Sequence, residues 1–313
     1  MRVTACVPAY PPRSRVGAWL STHEFLAQLA RRGHDVTVVP IDGDDRYVLD
    51  GVSVVPAIES ISPHIAHADI VISHAGDHGA AQREARRRGI PSVRFAHGHI
   101  ADPATLEGAA LVIFNSTALA ASIDCPSPSV VCHPATTPHR YRTTPGQRVT
   151  LINLSEQKGG ELFWRLVRCA THREFLGVIG GYGNQYIDVA PNAEVIPTTD
   201  NMRDDVYART RILLMPSERE TWGMAGVEAM ASGIPVIAHP TPGLVESLGH
   251  AGTFVDRADG QGWLDEIERL HDPIEWQTAS HLALARSVEL DPTEDLNRFA
   301  TAVEQLHCTG GTT

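Results

Sequence analysis

Two glutamates separated by seven residues, Glu220 and Glu228, flank a turn rich in small residues. An apolar run predicts a strand before the turn, and the residues after it predict a helix. Gly223 and Gly226 would allow the backbone of the turn to approach a ligand closely. The N–H groups that open a helix have no intrahelical partner and suit a phosphate oxygen.

Carboxylates on both sides of an anion site are electrostatically unfavourable unless each of them meets hydroxyl groups. The arrangement therefore indicates a ligand that combines a phosphate with a polyol, such as a ribose or a sugar. In the competing interpretation, the two glutamates only favour the positive end of a helix dipole. The segment taken alone does not decide between the two.

Other catalytic motifs are weak or missing. The G-G-Y-G segment 180–183 follows an apolar run but lacks the third glycine of a dinucleotide-binding fingerprint. The chain has no G-x-x-x-x-G-K-[ST], no H-E-x-x-H and no G-x-S-x-G motif. Its 16 histidines are dispersed, so no metal site is predicted.

Short β-branched runs alternate with helical stretches in both halves of the chain, and a segment rich in Pro, Thr and Arg at 134–147 separates the halves. This alternation predicts βαβ units and parallel sheets. We therefore expect an α/β protein of two doubly wound domains, residues 1–144 and 145–290, with ligands in a cleft outside the carboxyl ends of the strands. Predicted elements include strands at Val3–Val7, Asp69–Ser73, Ser92–Ala96, Val149–Asn153 and Ile212–Met215, and helices at Gly17–Arg32, Gly160–Ala170, Ala225–Ser232 and Glu289–Leu306.

Length and composition agree with this organisation. A chain of 313 residues suggests two domains, and its net charge of −11 argues against a protein that binds duplex nucleic acid. Five scattered cysteines without a C-x-x-C pair predict reduced thiols. The sequence contains neither a signal-peptide pattern nor an apolar stretch of membrane-spanning length. We therefore expect a soluble, cytoplasmic protein.

The segment around the two glutamates resembles the retaining glycosyltransferases of family 4. Their E-x7-E motif matches Glu220 to Glu228, and their E-A-M-A-x-G-x-P-V motif matches Glu228 to Val236 without a gap. Gln157-Lys158-Gly159 resembles the E-K-G segment of the family. The resemblance implies the GT-B fold, in which two Rossmann-like domains face a cleft, with the C-terminal segment 291–313 crossing back to the first domain.

Roles for individual residues follow from the resemblance. It implies that Lys158 and the amides of Met224 and Ala225 stabilise the charge on the β-phosphate, and that Glu228 accepts hydrogen bonds from a ribose. His97, which follows a predicted strand, is expected to contact a hydroxyl group of the donor sugar. The implied catalytic residues are His97 and Glu220, and the implied donor-binding residues are Gly17, Asn153, Lys158, Trp222, Gly223, Met224, Ala225 and Glu228.

The chain departs from the family pattern at some of these positions. Asn153 stands where the family usually has an arginine, so one of two expected cations is missing; Arg13 or Arg15 is a candidate replacement. An Asn153→Arg change would tighten donor binding if the site had only lost a cation. Unchanged or weaker binding would indicate a rebuilt pocket. Trp222 replaces the usual phenylalanine, and the short chain predicts trimmed acceptor loops.

The implied reaction moves a sugar from a nucleotide diphosphate donor to an acceptor hydroxyl, with retention and by front-face attack. No metal or other cofactor is expected, and the acceptor could be a small molecule, a glycan or a protein. A nucleotide-sugar epimerase is an alternative, for which only Asp77 and Asp102 are tempting acid–base residues. A non-catalytic nucleotide-sugar-binding protein is another alternative, suggested by Asn153.

Overall fold

The computed structural model describes residues 1–14, 16–57, 60–74, 79–98, 100 and 102–310. The chain divides into two compact units: unit 1 comprises Met1–Ala135 and Pro292–Thr313, and unit 2 comprises Thr136–Asp291. The boundary predicted from the sequence, 144/145, lies nine residues later. Residues 136–144 belong with unit 2 because the Arg142 Nε donates to the Ala231 carbonyl at 3.3 Å and the Thr143 N–H donates to the Ser232 Oγ at 3.0 Å.

Unit 1 is built on a mostly parallel sheet with the strand order β3-β4-β2-β1-β5-β6-β7-β8, in which only the β3–β4 pair is antiparallel. Its elements are β1 (Arg2–Val7), α1 (Gly17–Arg31), β2 (Asp35–Pro40), β3 (Tyr47–Leu49), β4 (Val52–Val54), α2 (Ser62–Ile65), β5 (Ile70–His74), α3 (Ala80–Arg87), β6 (Ser92–Ala96), β7 (Leu111–Phe114), α4 (Thr117–Ala121) and β8 (Ser129–Val131). Strands β1, β5 and β6 lie next to one another and run parallel, so their carboxyl ends meet at one edge of the sheet.

Unit 2 contains a parallel sheet with the strand order β11-β10-β9-β12-β13-β14. Its elements are α5 (Pro138–Tyr141), β9 (Arg148–Ile152), α6 (Gly160–Cys169), β10 (Phe175–Val178), β11 (Ala193–Ile196), β12 (Thr210–Met215), α7 (Met224–Met230), β13 (Val236–Ala238), α8 (Pro242–Leu248), β14 (Gly252–Phe254), α9 (Gly260–Arg269) and α10 (Pro273–Glu289). Because β9 pairs with both β10 and β12, the loops that follow these three strands emerge side by side.

The helix predicted over Glu289–Leu306 begins four residues later in the structure. Helix α10 ends at Glu289, and α11 (Thr293–Gly310) begins after Pro292. A proline has no N–H to continue the hydrogen-bond ladder, which explains the break. Helix α11 packs in the core of unit 1, where Phe299 is fully buried and its ring centroid lies 4.9 Å from that of Phe25.

Unit 1 therefore depends on a residue from the far end of the chain. We expect Phe299→Ala to lower the free energy of unfolding of unit 1 by about 3–5 kcal/mol, because it leaves a cavity between α1, β6 and α11. Hydrogen exchange of the β1, β5 and β6 peptides, measured with denaturant midpoints, would report this loss.

Val288→Ala is the matched control, because Val288 is 72% exposed and should change stability by no more than about 0.5 kcal/mol. An equal effect of both substitutions would contradict the role assigned to Phe299.

Candidate functional site

The centre of the candidate site in unit 2 is an ion pair between Lys158 and Glu220. Lys158 lies in the loop between β9 and α6, and Glu220 lies in the loop between β12 and α7. Both side chains are largely buried, with exposed fractions of 17% for Lys158 and 15% for Glu220. The structure therefore brings together two predicted site residues that are 62 positions apart in the sequence.

Lys158 keeps its charge in this environment. Burial lowers its pKa, but the charge of Glu220 and hydrogen bonds to Glu220 and Tyr182 outweigh that effect and raise the pKa of Lys158 above its ordinary value. It is also the only lysine in the chain. The site therefore holds one compact ammonium group that is fully charged at neutral pH.

Two glycines allow the two loops to pack closely around this pair. Gly159 has a φ of +91°, and a Cβ there would lie 2.4 Å from the Cγ of Pro216. A Cβ on Gly243, in α8, would lie 2.5 Å from the carbonyl oxygen of Glu220. Neither position has room for a larger residue, because the β12–α7 loop packs directly against Gly159 and, separately, against Gly243 of α8.

Glu228 points into the interior of unit 2 from α7. It is 7% exposed, and the phenol of Tyr207 donates to its carboxylate at 2.6 Å. Burial raises the pKa of Glu228 to about 7, although hydrogen bonds from Tyr207 and Tyr141 act in the opposite direction. The carboxyl group of Glu228 is therefore held by two phenols and titrates near neutral pH.

Asn153 is part of the framework of the loop that follows β9. It has a φ of +70°, is 5% exposed, and accepts hydrogen bonds through its Oδ1 from the Ser155 N–H at 3.1 Å and the Gln185 Nε2 at 2.9 Å. A Cβ on Gly180 would lie 2.1 Å from the Asn153 Cγ. Asn153 is therefore a buried part of the loop framework, and its amide oxygen is already engaged by two donors.

A cavity of about 370 Å³ lies beside this framework, between segments 155–157 and 182–186. The guanidinium of Arg257 fixes one of its walls by donating to the carbonyl oxygens of Glu156 and Gln157. The Gln185 side chain fixes the other wall, because its Nε2 donates to the carbonyl oxygens of residues 182 and 183 at 2.9 and 3.0 Å. Each wall of the cavity is thus held by side-chain hydrogen bonds to its backbone.

The turn that opens α7 has the predicted position, but its residues differ in accessibility. Gly223 has a φ of +88°, and a Cβ there would lie 2.4 Å from the Leu244 Cδ2. Met224 and Ala225 are partly accessible, whereas Trp222 is only 3% exposed. Trp222 therefore packs in the interior of unit 2, and its expected contact with a donor stays a prediction.

In unit 1, the remaining predicted catalytic residue, His97, follows β6 and stacks on His74 from the end of β5, with ring centroids 4.6 Å apart. The Oγ1 of Thr22, from α1, lies 3.2 Å from the Nε2 of each imidazole. Asn115 Nδ2 donates to the His97 carbonyl at 3.1 Å. Burial lowers the pKa of His97 to about 4, so the imidazole of His97 is neutral at pH 7.

Other predicted positions in unit 1 have structural surroundings. Gly17 is the first residue of α1. Arg13 pairs with Asp44 at 2.6 Å and with a neighbouring carboxylate, so its charge is already neutralised within unit 1. Asp102 caps a short 3₁₀-helix by accepting from the Ala104 N–H at 3.0 Å. The remaining candidates in this unit, Arg15 and Asp77, lie outside the described residues.

A metal site and a membrane-spanning helix are both missing from the parts of the chain that the structure describes. No group of three or more His, Cys, Asp or Glu side chains there could hold a metal ion. None of the helices there combines the length and the apolar character that crossing a membrane requires. The expected independence from metals stays a prediction.

Three residues that contact predicted site residues were not predicted from the sequence: Tyr207, Tyr182 and Thr22. Tyr207 lies 21 residues before Glu228, and no motif links the two positions. Tyr182 lies in the G-G-Y-G segment after β10. Because loops at the carboxyl ends of parallel strands bind ligands in α/β folds, this position could have identified it as a candidate site residue. Thr22 lies one turn into α1, where its hydroxyl donates to the Ala18 carbonyl, an ordinary helix contact that gives no functional signal.

Residues 149–272, within unit 2, match the family described as Glycosyl transferases group 1. The chain is also similar to a D-inositol 3-phosphate glycosyltransferase from Corynebacterium urealyticum, with 36% identity over 67 residues, or 21% of this chain. A protein of the same name from Corynebacterium diphtheriae is 32% identical over 90 residues, or 28% of this chain. These alignments span 16% and 19% of the lengths of the two relatives.

Solved structures resemble the chain over nearly its whole length. The sucrose-phosphate synthase from Thermosynechococcus elongatus aligns with a TM-score of 0.78 and 17% identity, covering 99% of both chains. HepE from Anabaena in complex with UDP-glucose aligns with a TM-score of 0.80 and 16% identity, covering 97% of this chain and 100% of that one. The chain therefore has the GT-B fold, with two Rossmann-like parallel-sheet units.

The raised pKa of Glu228 predicts a pH-dependent stability. A buried carboxyl group whose pKa is about 7, against an ordinary 4.5, favours the folded state while it is protonated and destabilises it progressively as pH rises between these values. We expect Glu228→Gln to exceed the wild type in unfolding free energy at pH 8 by about 3 kcal/mol more than at pH 4.5.

Urea midpoints of the two proteins, measured across this pH range by the fluorescence of the tryptophans in unit 2, would check the expectation. Glu218→Gln, which removes an exposed carboxylate from the loop before α7, is the control and should show no such divergence. Parallel curves for wild type and Glu228→Gln would contradict the raised pKa of Glu228.

The framework role of Asn153 predicts the outcome of restoring an arginine. We expect Asn153→Arg to destabilise unit 2 by about 2 kcal/mol or more, because a long side chain must replace a buried amide that makes two hydrogen bonds. Affinity for a nucleoside diphosphate should fall or stay unchanged.

Asn184→Arg adds the same charge at an exposed position of the neighbouring loop and controls for a purely electrostatic gain. Calorimetric titration with nucleoside diphosphates compares the variants. Tighter binding by Asn153→Arg alone would restore the interpretation of a lost cation.

Proposed function

We propose that this protein is a glycosyltransferase that moves a sugar from a nucleotide diphosphate donor to an acceptor hydroxyl group. The observation that carries the proposal is the buried pair of Lys158 and Glu220 at the carboxyl edge of the sheet in unit 2. An ammonium group suits the diphosphate, and an adjacent carboxylate suits sugar hydroxyls. The family match over residues 149–272 and the UDP-glucose complex of HepE support the same donor class.

In the proposed reaction, the bond between the anomeric carbon and the β-phosphate oxygen breaks, and negative charge develops on the leaving diphosphate. Lys158, with the N–H groups of Met224 and Ala225, stabilises that charge where it forms. Glu228 accepts hydrogen bonds from the ribose of the donor. His97 contacts a hydroxyl group of the donor sugar, which is the role predicted from the sequence. Asn153 holds the loop that presents Lys158.

We further propose retention by front-face attack, in which the leaving phosphate takes the proton of the acceptor hydroxyl. A double displacement would require a carboxylate nucleophile at the anomeric carbon. Glu220 is poorly suited to that task, because its charge is already stabilised by Lys158. Its proposed role is to orient the sugar.

A non-catalytic nucleotide-sugar-binding protein is the second candidate, and the departure at Asn153 favours it. The loss of one phosphate-binding cation would reduce stabilisation of the leaving group more than it would reduce ground-state binding. Detection of turnover separates this candidate from the transferase.

The single lysine allows a direct test of the donor site. Reductive ¹³C-methylation retains the charge and should give one lysine signal, from Lys158, besides that of the α-amino group. We expect the Lys158 signal to shift on titration with one of UDP, GDP, ADP or dTDP, or with a corresponding nucleotide sugar. Mass spectrometry of the same samples would detect slow hydrolysis of the matching donor.

Lys158→Met should weaken nucleotide binding at least about tenfold, since a charge-assisted hydrogen bond contributes about 1.5–3 kcal/mol. Arg165→Met removes a cation from α6 outside the pair and is the control. A shift with donor hydrolysis supports the transferase, and a shift without turnover in the presence of varied hydroxyl acceptors supports the binding protein. No shift with any nucleotide contradicts both.

A further inference from the structure

Three side chains from separate elements of unit 1 meet at the carboxyl edge of its sheet. Thr22 comes from α1, His74 ends β5, and His97 follows β6. The Thr22 hydroxyl is fully buried and makes three contacts: it lies 2.9 Å from the Ala18 carbonyl oxygen and 3.2 Å from the Nε2 of each imidazole.

The number of protons available fixes the direction of these hydrogen bonds. A hydroxyl group has one proton and two lone pairs. The Ala18 carbonyl can only accept, and its contact is the shortest of the three, so the Thr22 proton points to it. Both lone pairs then face the imidazoles, and each of them can be satisfied only by an Nε2–H donor.

We propose that Thr22 is a positioning residue that holds His74 and His97 in the Nε2–H tautomer, which makes the Nδ1 of His97 a hydrogen-bond acceptor. A group recognised by that nitrogen must then donate a proton, as a sugar hydroxyl does, and cannot be a carboxylate or phosphate oxygen. The identity of the recognised group rests on the proposed function, whereas the tautomer does not.

The surroundings of the pair favour neutral rings in a fixed orientation. The His97 ring stacks on Phe95 with centroids 5.2 Å apart, and Trp19 meets His74 edge-on at 4.6 Å. Burial, together with the neighbouring His97 and Arg94, lowers the pKa of His74 well below its ordinary value. A second proton on either ring would be desolvated, so the tautomer, rather than the charge, decides what each nitrogen can do.

The wild-type protein provides the first test. In ¹⁵N-histidine-labelled protein at pH 7.5, long-range ¹H–¹⁵N spectra distinguish a protonated ring nitrogen from an unprotonated one, and His74→Gln and His97→Gln assign the two residues. We expect a protonated Nε2 and an unprotonated Nδ1 for both. A protonated Nδ1 with an unprotonated Nε2 at His97 would overturn the proposal.

Variants at Thr22 test whether the hydroxyl is the cause. Thr22→Val keeps the shape but removes the acceptor, and we expect both histidines to become mixtures of tautomers. Thr22→Ser keeps the Oγ and should retain the wild-type spectrum. Ser21→Ala is the matched control, since the buried Ser21 Oγ on the same helix makes no hydrogen bond within the described residues. A wild-type spectrum for Thr22→Val would overturn the proposal.

Turnover separates this inference from the proposed function. Where the wild type hydrolyses or transfers a donor sugar, Thr22→Val should lower the rate about tenfold, the equivalent of one neutral hydrogen bond, and Thr22→Ser should recover most of it. An unchanged rate in Thr22→Val would overturn the positioning role. A wild type that binds no donor would contradict the proposed function. The tautomer assignment would still be decided by the spectra.

Discussion

The buried charge of Lys158 is the constraint on which the candidate site in unit 2 depends. An ammonium group removed from water is strongly unfavourable unless a carboxylate and further hydrogen bonds compensate it. Glu220 supplies that carboxylate from another βα loop, so the two loops have to meet. The absence of a side chain at Gly159 follows from this requirement, because a Cβ there would collide with Pro216 of the loop that carries Glu220.

The parallel sheets explain why chemically active residues gather where they do in each unit. Side chains that end or follow neighbouring parallel strands lie at one edge, as His74 and His97 do in unit 1. In unit 2, Asn153 follows the central strand β9, and Lys158 and Glu220 stand in the loops after β9 and β12. Neither cluster requires its residues to be close in sequence, because the register of the sheet brings them together.

Most of the fold could be predicted because its strongest signals are local. The apolar runs at 3–7, 92–96 and 212–215 became strands within about two residues of their predicted bounds. The short strands β3 and β4 were not predicted, because three residues are too few to give a periodicity. Contacts within the site could not be predicted in the same way, because the hydrogen bond from Tyr207 to Glu228 and the positive φ of Asn153 depend on tertiary packing.

The ion pair also explains how a site with a single lysine could function under the proposed activity. A nucleoside diphosphate alone would draw Lys158 away from Glu220 and leave a largely buried carboxylate without a partner. A donor that still carries its sugar supplies hydroxyl groups to Glu220 while its phosphates engage Lys158. Under the proposed activity, we therefore expect the sugar and the diphosphate to bind cooperatively. Under the same proposal, re-formation of the Lys158–Glu220 pair after the sugar has left would favour release of the nucleotide.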